Sequence, residues 1–155
     1  VEYIKKDITT VGRGVIAHGV NCQHVMGSGV ALAIKTKYPI IYDWYMIAPR
    51  GEEMLGTAQV IEVGEVADNL FVSNCYTQLC YGRNGKFANV EAVEHSLRET
   101  LVACDWYNLD LFLPKIGAGR GGLNWEEDVL PVLKKLDVEF SKINIFVCVH
   151  EDIVE

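Results

Sequence analysis

Two glycine-rich segments, each leaving an apolar run and opening into a helical pattern, set the strongest limit on how this chain can fold. Residues 15–20 are apolar and lead through Asn21-Cys22-Gln23-His24-Val25-Met26 to Gly27-Ser28-Gly29, after which Val30, Ala31, Leu32, Ala33 and Ile34 read as a helix. Residues 110–113 read as a buried strand, Gly117, Gly119, Gly121 and Gly122 as a loop, and Asn124 as a helix start with Glu126 and Glu127 in its first turn. Glycine lets a backbone approach an anion closely and adopt positive φ, and the free N–H groups and dipole of a helix N-terminus face that anion. Two such units predict two anion cradles at one edge of a sheet. The competing reading, glycines as simple punctuation between elements, stays open on either loop alone.

The remaining pattern alternates strand and helix. Residues 1–5 read as a first strand, 40–48 as a short aromatic-rich helix after Pro39, and 58–63 and 70–74 as two strands around a polar turn. Residues 78–87 are irregular, long enough to cover a site. Residues 89–104 carry Val90, Val93, Leu97, Leu101 and Val102 as the apolar face of an amphipathic helix. Residues 126–136 form a further helix that tolerates Pro131 only by an early kink or break, and 143–149 a last strand. This alternation predicts an α/β fold, a three-layer α/β/α sandwich with a central mixed, mostly parallel sheet, as one domain over residues 1–155. In such sheets ligands bind beyond the carboxyl ends of the strands. A nucleotide diphosphate suits two converging cradles.

Composition narrows the partners. A net charge of −7 argues against general nucleic-acid binding, which needs clustered Lys and Arg, so an anionic ligand must be held by main-chain amides. The five cysteines show no C-x-x-C, so neither a disulfide framework nor a metal site is indicated, and no cofactor is called for. No apolar run approaches the roughly 20 residues needed to cross a bilayer, and the first residues lack a signal-peptide hydrophobic region. A cytoplasmic monomer without membrane contact is the expectation.

The spacing Gly117, Gly119, Gly122 satisfies G-x-G-x-x-G, yet it follows the penultimate strand, whereas a dinucleotide-binding Rossmann unit places it after the first. Neither loop ends in G-K-S or G-K-T, which sets aside P-loop phosphoryl transfer. Lys6-Asp7-Ile8-Thr9, the run from His18 to Ala31, and Leu113-Pro114-Lys115-Ile116-Gly117-Ala118-Gly119 through Leu123-Asn124-Trp125-Glu126, in this order across nearly the whole chain, resemble a macrodomain. The resemblance is strongest to the branch of ADP-ribose-1''-phosphate phosphatase and terminal ADP-ribose glycohydrolase.

That resemblance implies an ADP-ribose cleft. It assigns Asp7 and Ile8 to adenine, Gly27, Ser28, Gly29 and Val30 to one side of the diphosphate, and Lys115, Ile116, Gly117, Ala118, Gly119, Arg120, Gly121 and Gly122 to the other. Asn21 faces the distal ribose, Cys148 and His150 border adenine, and Tyr76, Tyr81 and Phe87 are candidates to line the distal ribose or its covering loop. Asp7 read by its residue type alone is equally a turn or cap carboxylate, and Asn21 an Asx turn. His24 and His18 are the candidate acid–base groups, His24 because imidazole titrates near neutrality and His18 because phosphatase-like relatives place a histidine there. The glycohydrolase relatives carry a nucleophilic lysine after the fourth strand and an aspartate in the second loop. This chain has Asn74-Cys75-Tyr76-Thr77-Gln78 and Gly121 there, and Lys86 is the sole lysine of the following loop. Lysine-dependent glycohydrolysis is therefore disfavoured. The expected function is binding of ADP-ribose and hydrolysis of ADP-ribose-1''-phosphate by water held by Asn21 and His24 or His18. The alternatives are a non-catalytic reader of ADP-ribose or ADP-ribosylated targets and an ADP-ribosyl hydrolase that uses ordered water.

Overall fold

The computed structural model describes residues 1–82 and 87–150. Six strands, β1 (Glu2–Lys5), β2 (Gly14–Asn21), β3 (Ala58–Val63), β4 (Leu70–Gln78), β5 (Leu111–Leu113) and β6 (Ile145–Val149), form one sheet in the order β1-β6-β5-β2-β4-β3. Every neighbouring pair is parallel except β3 with β4. Four α-helices, α1 (Gly29–Lys37), α2 (Ile40–Ile47), α3 (Val90–Tyr107) and α4 (Leu130–Glu139), cover its two faces. The mixed, mostly parallel three-layer sandwich expected from the alternating pattern is present.

Side chains alternate across the sheet with the period of two that a strand imposes. Val15 and Ala17 of β2, with Phe71 and Cys75 of β4, face a core built with α3 and α4, while Ile16, Val20, Val72 and Tyr76 face the other core, built with α1 and α2. Both faces of the central strands are buried, so neither β2 nor β4 shows an alternation of buried and exposed residues.

Several boundaries differ from the sequence reading. β4 continues four residues past Asn74 to Gln78, because it pairs on one side with β2 and on the other with β3. Val102 was expected on the buried face of α3 but is 56% exposed; it follows Leu101, which is buried, and one residue turns a helix by about 100°. The buried stripe runs instead through Val93, Leu97, Leu101 and Cys104, with Ala92, Ser96 and Thr100 beside it. Near Pro131 the chain makes a π turn over Trp125–Val129 before α4 begins, with the proline in the first turn of α4, where its missing N–H costs nothing. Of the loop expected over residues 78–87, Ala88 closes the end by a bridge to Gln78; Lys86 lies outside the described residues.

Candidate functional site

β5, β2 and β4 are neighbours in the sheet, so the loops leaving their carboxyl ends share one edge. A cleft of about 410 Å³ lies there, within the range of small-molecule sites. It brings together Asn21, Gly27, Ser28, Gly29 and Val30 from the first loop and Ile116, Gly117, Gly119, Arg120 and Gly121 from the second. Arg120 is the one charged side chain among the described residues that line it.

The first loop is a helix N-terminus left open. Ser28 occupies the N-cap position of α1 in an extended conformation, but its side chain makes no capping bond, and no acidic residue occupies the first turn. Leu32 N–H reaches Ser28 O, leaving the amides of Gly29, Val30 and Ala31 without an intrahelical acceptor. These donors and the positive end of the α1 dipole point into the cleft, the arrangement that attracts an anion. Gly29 adopts φ +62°, which glycine takes at little cost, and a Cβ on Gly27 would meet nothing within 4 Å.

The second loop works differently from the sequence expectation. The helical turn after it is already capped, Glu127 N–H donating to Asn124 Oδ1 at 2.9 Å, and Glu126, Glu127 and Asp128 fill its first turn. That terminus does not invite an anion, and the cleft lining stops before it. Instead the loop folds on itself: Ala118 N–H donates to Lys115 O, Gly122 N–H to Gly119 O and Leu123 N–H to Gly117 O. The amides of Gly119, Arg120 and Gly121 have no partner among the described residues and are the donors this loop offers. Lys115, Ala118 and Gly122, expected as ligand contacts, are not among the lining residues; they supply the bonds that shape the turn.

Asn21 is set rigidly at the root of the first loop. Its Oδ1 accepts from Gln23 N–H at 2.9 Å and from the buried Tyr45 hydroxyl at 2.7 Å, and its Nδ2 donates to Val25 O at 2.8 Å. This is an Asx turn with an added anchor, and one N–H of Nδ2 remains without an acceptor among the described residues. Burial pushes the Tyr45 phenol well above its ordinary pKa, so it stays a donor.

The two histidines expected as acid or base do not line the cleft. His24 takes φ +62° and turns its ring onto Tyr45, with Nε2 donating to Ala48 O at 2.8 Å, so it ties the loop to α2. His18 lies on the α1 and α2 side of β2, 1% exposed, with Nε2 at 2.6 Å from Asn74 Oδ1. Asn74 Nδ2 already donates to Ile41 O and Gln59 Oε1, so His18 Nε2 carries the proton and its Nδ1 is a buried acceptor without a partner among the described residues.

Burial lowers the His18 pKa to about 4, against 6.5 for the free side chain. The unfolded chain therefore takes up a proton that the folded chain refuses, and stability is lost as pH falls through the window from about 6.5 to 4. At pH 5 the expected cost is about 2 kcal/mol relative to pH 7. Urea denaturation at both pH values checks this. His18→Gln removes the titration, and an equal loss between pH 7 and 5 in that variant would assign the acid sensitivity to other groups.

Asp7, Ile8, Cys148 and His150 gather one step along the sheet, at the ends of β1 and β6, outside the cleft lining. Asp7 caps the short turn Ile8–Thr10, accepting from Thr9 N–H at 2.9 Å and the Thr9 hydroxyl at 2.7 Å, bonds that hold its carboxyl below the usual range; His150 is close enough to add to this. Tyr76 was a candidate for the distal ribose but is fully buried, its hydroxyl donating to Gln59 Oε1 at 3.0 Å. Tyr81 does line the cleft, while Phe87 packs its ring on Gly82. Sequence reasoning missed Gly19, Thr77 and Pro114 as lining residues. Among the described residues no group of three or more His, Cys, Asp or Glu is placed to hold a metal ion.

Comparison with known proteins agrees with this architecture. The chain is 29% identical over 132 residues to a DNA ADP-ribosyl glycohydrolase of Mycobacterium tuberculosis, covering 82% of this chain but only 36% of that protein, so it spans about a third of that relative. It is 29% identical over 169 residues to an ADP-ribose 1''-phosphate phosphatase of Scheffersomyces stipitis, covering 91% of this chain and 97% of that one. The macrodomain of Mycobacterium tuberculosis DarG superposes with a TM-score of 0.77 at 22% identity, covering 95% of both chains. The family pattern described as Macro domain matches residues 17–130, from the middle of β2 to the start of α4, which takes in both loops and the cleft between them. The chain belongs to the Macro domain family.

Proposed function

We propose that this domain binds ADP-ribose with its diphosphate between the two loops and hydrolyses the phosphate of ADP-ribose-1''-phosphate at the distal ribose. The observation that carries the reading is the pair of amide sets, residues 29–31 and 119–121, which have no acceptor among the described residues and line a single cleft. Neutral donors in fixed positions bind a diphosphate with Arg120 as the one counter-charge among the described lining residues. Likeness to the Scheffersomyces stipitis phosphatase over nearly its full length supports the choice of reaction. Water attacks phosphorus, the bond from phosphorus to the oxygen on C1'' breaks, and that oxygen ends protonated. The open N–H of Asn21 orients the water or the sugar, and loop amides stabilise charge developing on the phosphoryl oxygens.

A second reading, a reader of ADP-ribosylated protein, is favoured by the absence of any His, Lys or carboxylate among the described lining residues. One set of measurements separates them. Calorimetry with ADP-ribose, and a thermal shift corresponding to roughly 2.7 kcal/mol at a hundred times Kd, test binding. Phosphate release from ADP-ribose-1''-phosphate above the buffer rate supports the phosphatase. Binding with no release there supports the reader, provided ADP-ribosylated protein and DNA are also left intact. No binding of ADP-ribose would end both.

A further inference from the structure

Thr77, at the end of β4, is 1% exposed, yet it lines the cleft. Its carbonyl accepts from Asn89 N–H at 2.9 Å, but its hydroxyl has no hydrogen-bond partner among the described residues. A buried hydroxyl is normally paired, because leaving it bare forfeits its bonds to water. His18 Nδ1 is the single side-chain polar atom that is fully covered and unpartnered among the described residues. The Thr77 hydroxyl is not among the fully covered atoms, and the residue lies in the cleft wall. Gly19 on the adjacent strand makes the room: a Cβ there would stand 2.8 Å from Thr77 Oγ1. Gly19 does not take a positive φ, so the missing side chain serves space rather than backbone conformation.

Sheet order gives the hydroxyl its position relative to a ligand. The second loop leaves β5 and the first leaves β2, while Thr77 is the penultimate residue of β4, on the far side of β2. The corner of Asp7 and His150 lies in the opposite direction, at β1 and β6. We propose that Thr77 is a specificity-determining residue whose hydroxyl bonds the distal ribose of the ligand, in the room that Gly19 leaves. This rests on the reading of the cleft as an ADP-ribose site.

Calorimetry with ADP-ribose and with ADP, which has the same base and diphosphate but lacks the distal sugar, tests it. Thr77→Val keeps the shape and removes the hydroxyl. Its Kd for ADP-ribose should rise about tenfold while its Kd for ADP stays at the wild-type value. Thr77→Ser should restore ADP-ribose affinity. Gly19→Ala should reproduce the selective loss, because its methyl displaces the same hydroxyl. Melting curves confirm that each variant is folded. Unchanged ADP-ribose affinity in Thr77→Val, or an equal loss for both ligands, would overturn the assignment. If the wild-type protein binds neither ligand, the ADP-ribose reading itself fails and takes this one with it.

Discussion

Gly27→Glu is expected to abolish the proposed ADP-ribose binding and to leave the melting temperature within about 1–2 °C of wild type, the range of a surface substitution in a domain of this size. Nothing lies within 4 Å of a Cβ at this position and its φ is not positive, so the fold accepts the side chain. The carboxylate, however, projects from a residue that lines the cleft, beside the amides of residues 29–31. A unit charge about 4 Å from a phosphate costs about 4 kcal/mol at the effective dielectric of a protein surface, on the order of a thousandfold in Kd. Calorimetry on the folded variant reads this directly. Wild-type affinity there would remove the first loop from the ligand site.

The second large effect is on stability. Gly121→Asp is expected to lower the melting temperature by about 5–10 °C and to weaken binding with it. A Cβ at residue 121 would stand 2.5 Å from Gly117 O and 2.8 Å from Ala88 Cβ, and the first of these is backbone that cannot swing away. The Gly121 carbonyl meanwhile accepts from Phe87 N–H and Ala88 N–H, so moving the loop breaks its tie to the segment before α3. Gly27→Ala, with open space at its Cβ, is the control and should melt with the wild type. The comparison has a chemical meaning as well. Residue 121 is where glycohydrolase-type relatives are expected to carry an aspartate, and here the loop closes too tightly for any side chain. Grafting that carboxylate should damage the fold rather than restore an activity. A variant that melts normally would show that the loop relaxes and would reopen that chemistry.

Gly121 also shows why part of the site was legible in the sequence and part was not. Each strand, loop and helix unit was visible because apolar period, glycine and cap residues are local properties, read within a dozen residues. Convergence of the two loops followed from the same pattern, since parallel strands deliver their loops to one edge. The roles of the histidines were not legible. His24 is oriented by Ala48 and Tyr45, and His18 by Asn74, partners 21 to 56 positions away, and no spacing rule brings those together. Asn21 was assigned to the site by the macrodomain resemblance, but the Tyr45 hydroxyl that fixes it belongs to a helix with no local signal of that contact.

What the amino-acid order determined by itself is the backbone: which runs extend, where they turn, and which positions must lack a side chain so that the chain can bend or an anion can approach. These are consequences of short-range sterics and hydrophobic period, which act between near neighbours. Tertiary packing decided which polar groups remain available. The Glu127 amide after the second loop is spent on Asn124, the first-turn amides of α1 have no side-chain cap, and Thr77 keeps a hydroxyl without a partner among the described residues, in room that Gly19 of another strand leaves. Whether a donor is used or left over depends on every partner within hydrogen-bond reach, and those partners are gathered only by the fold.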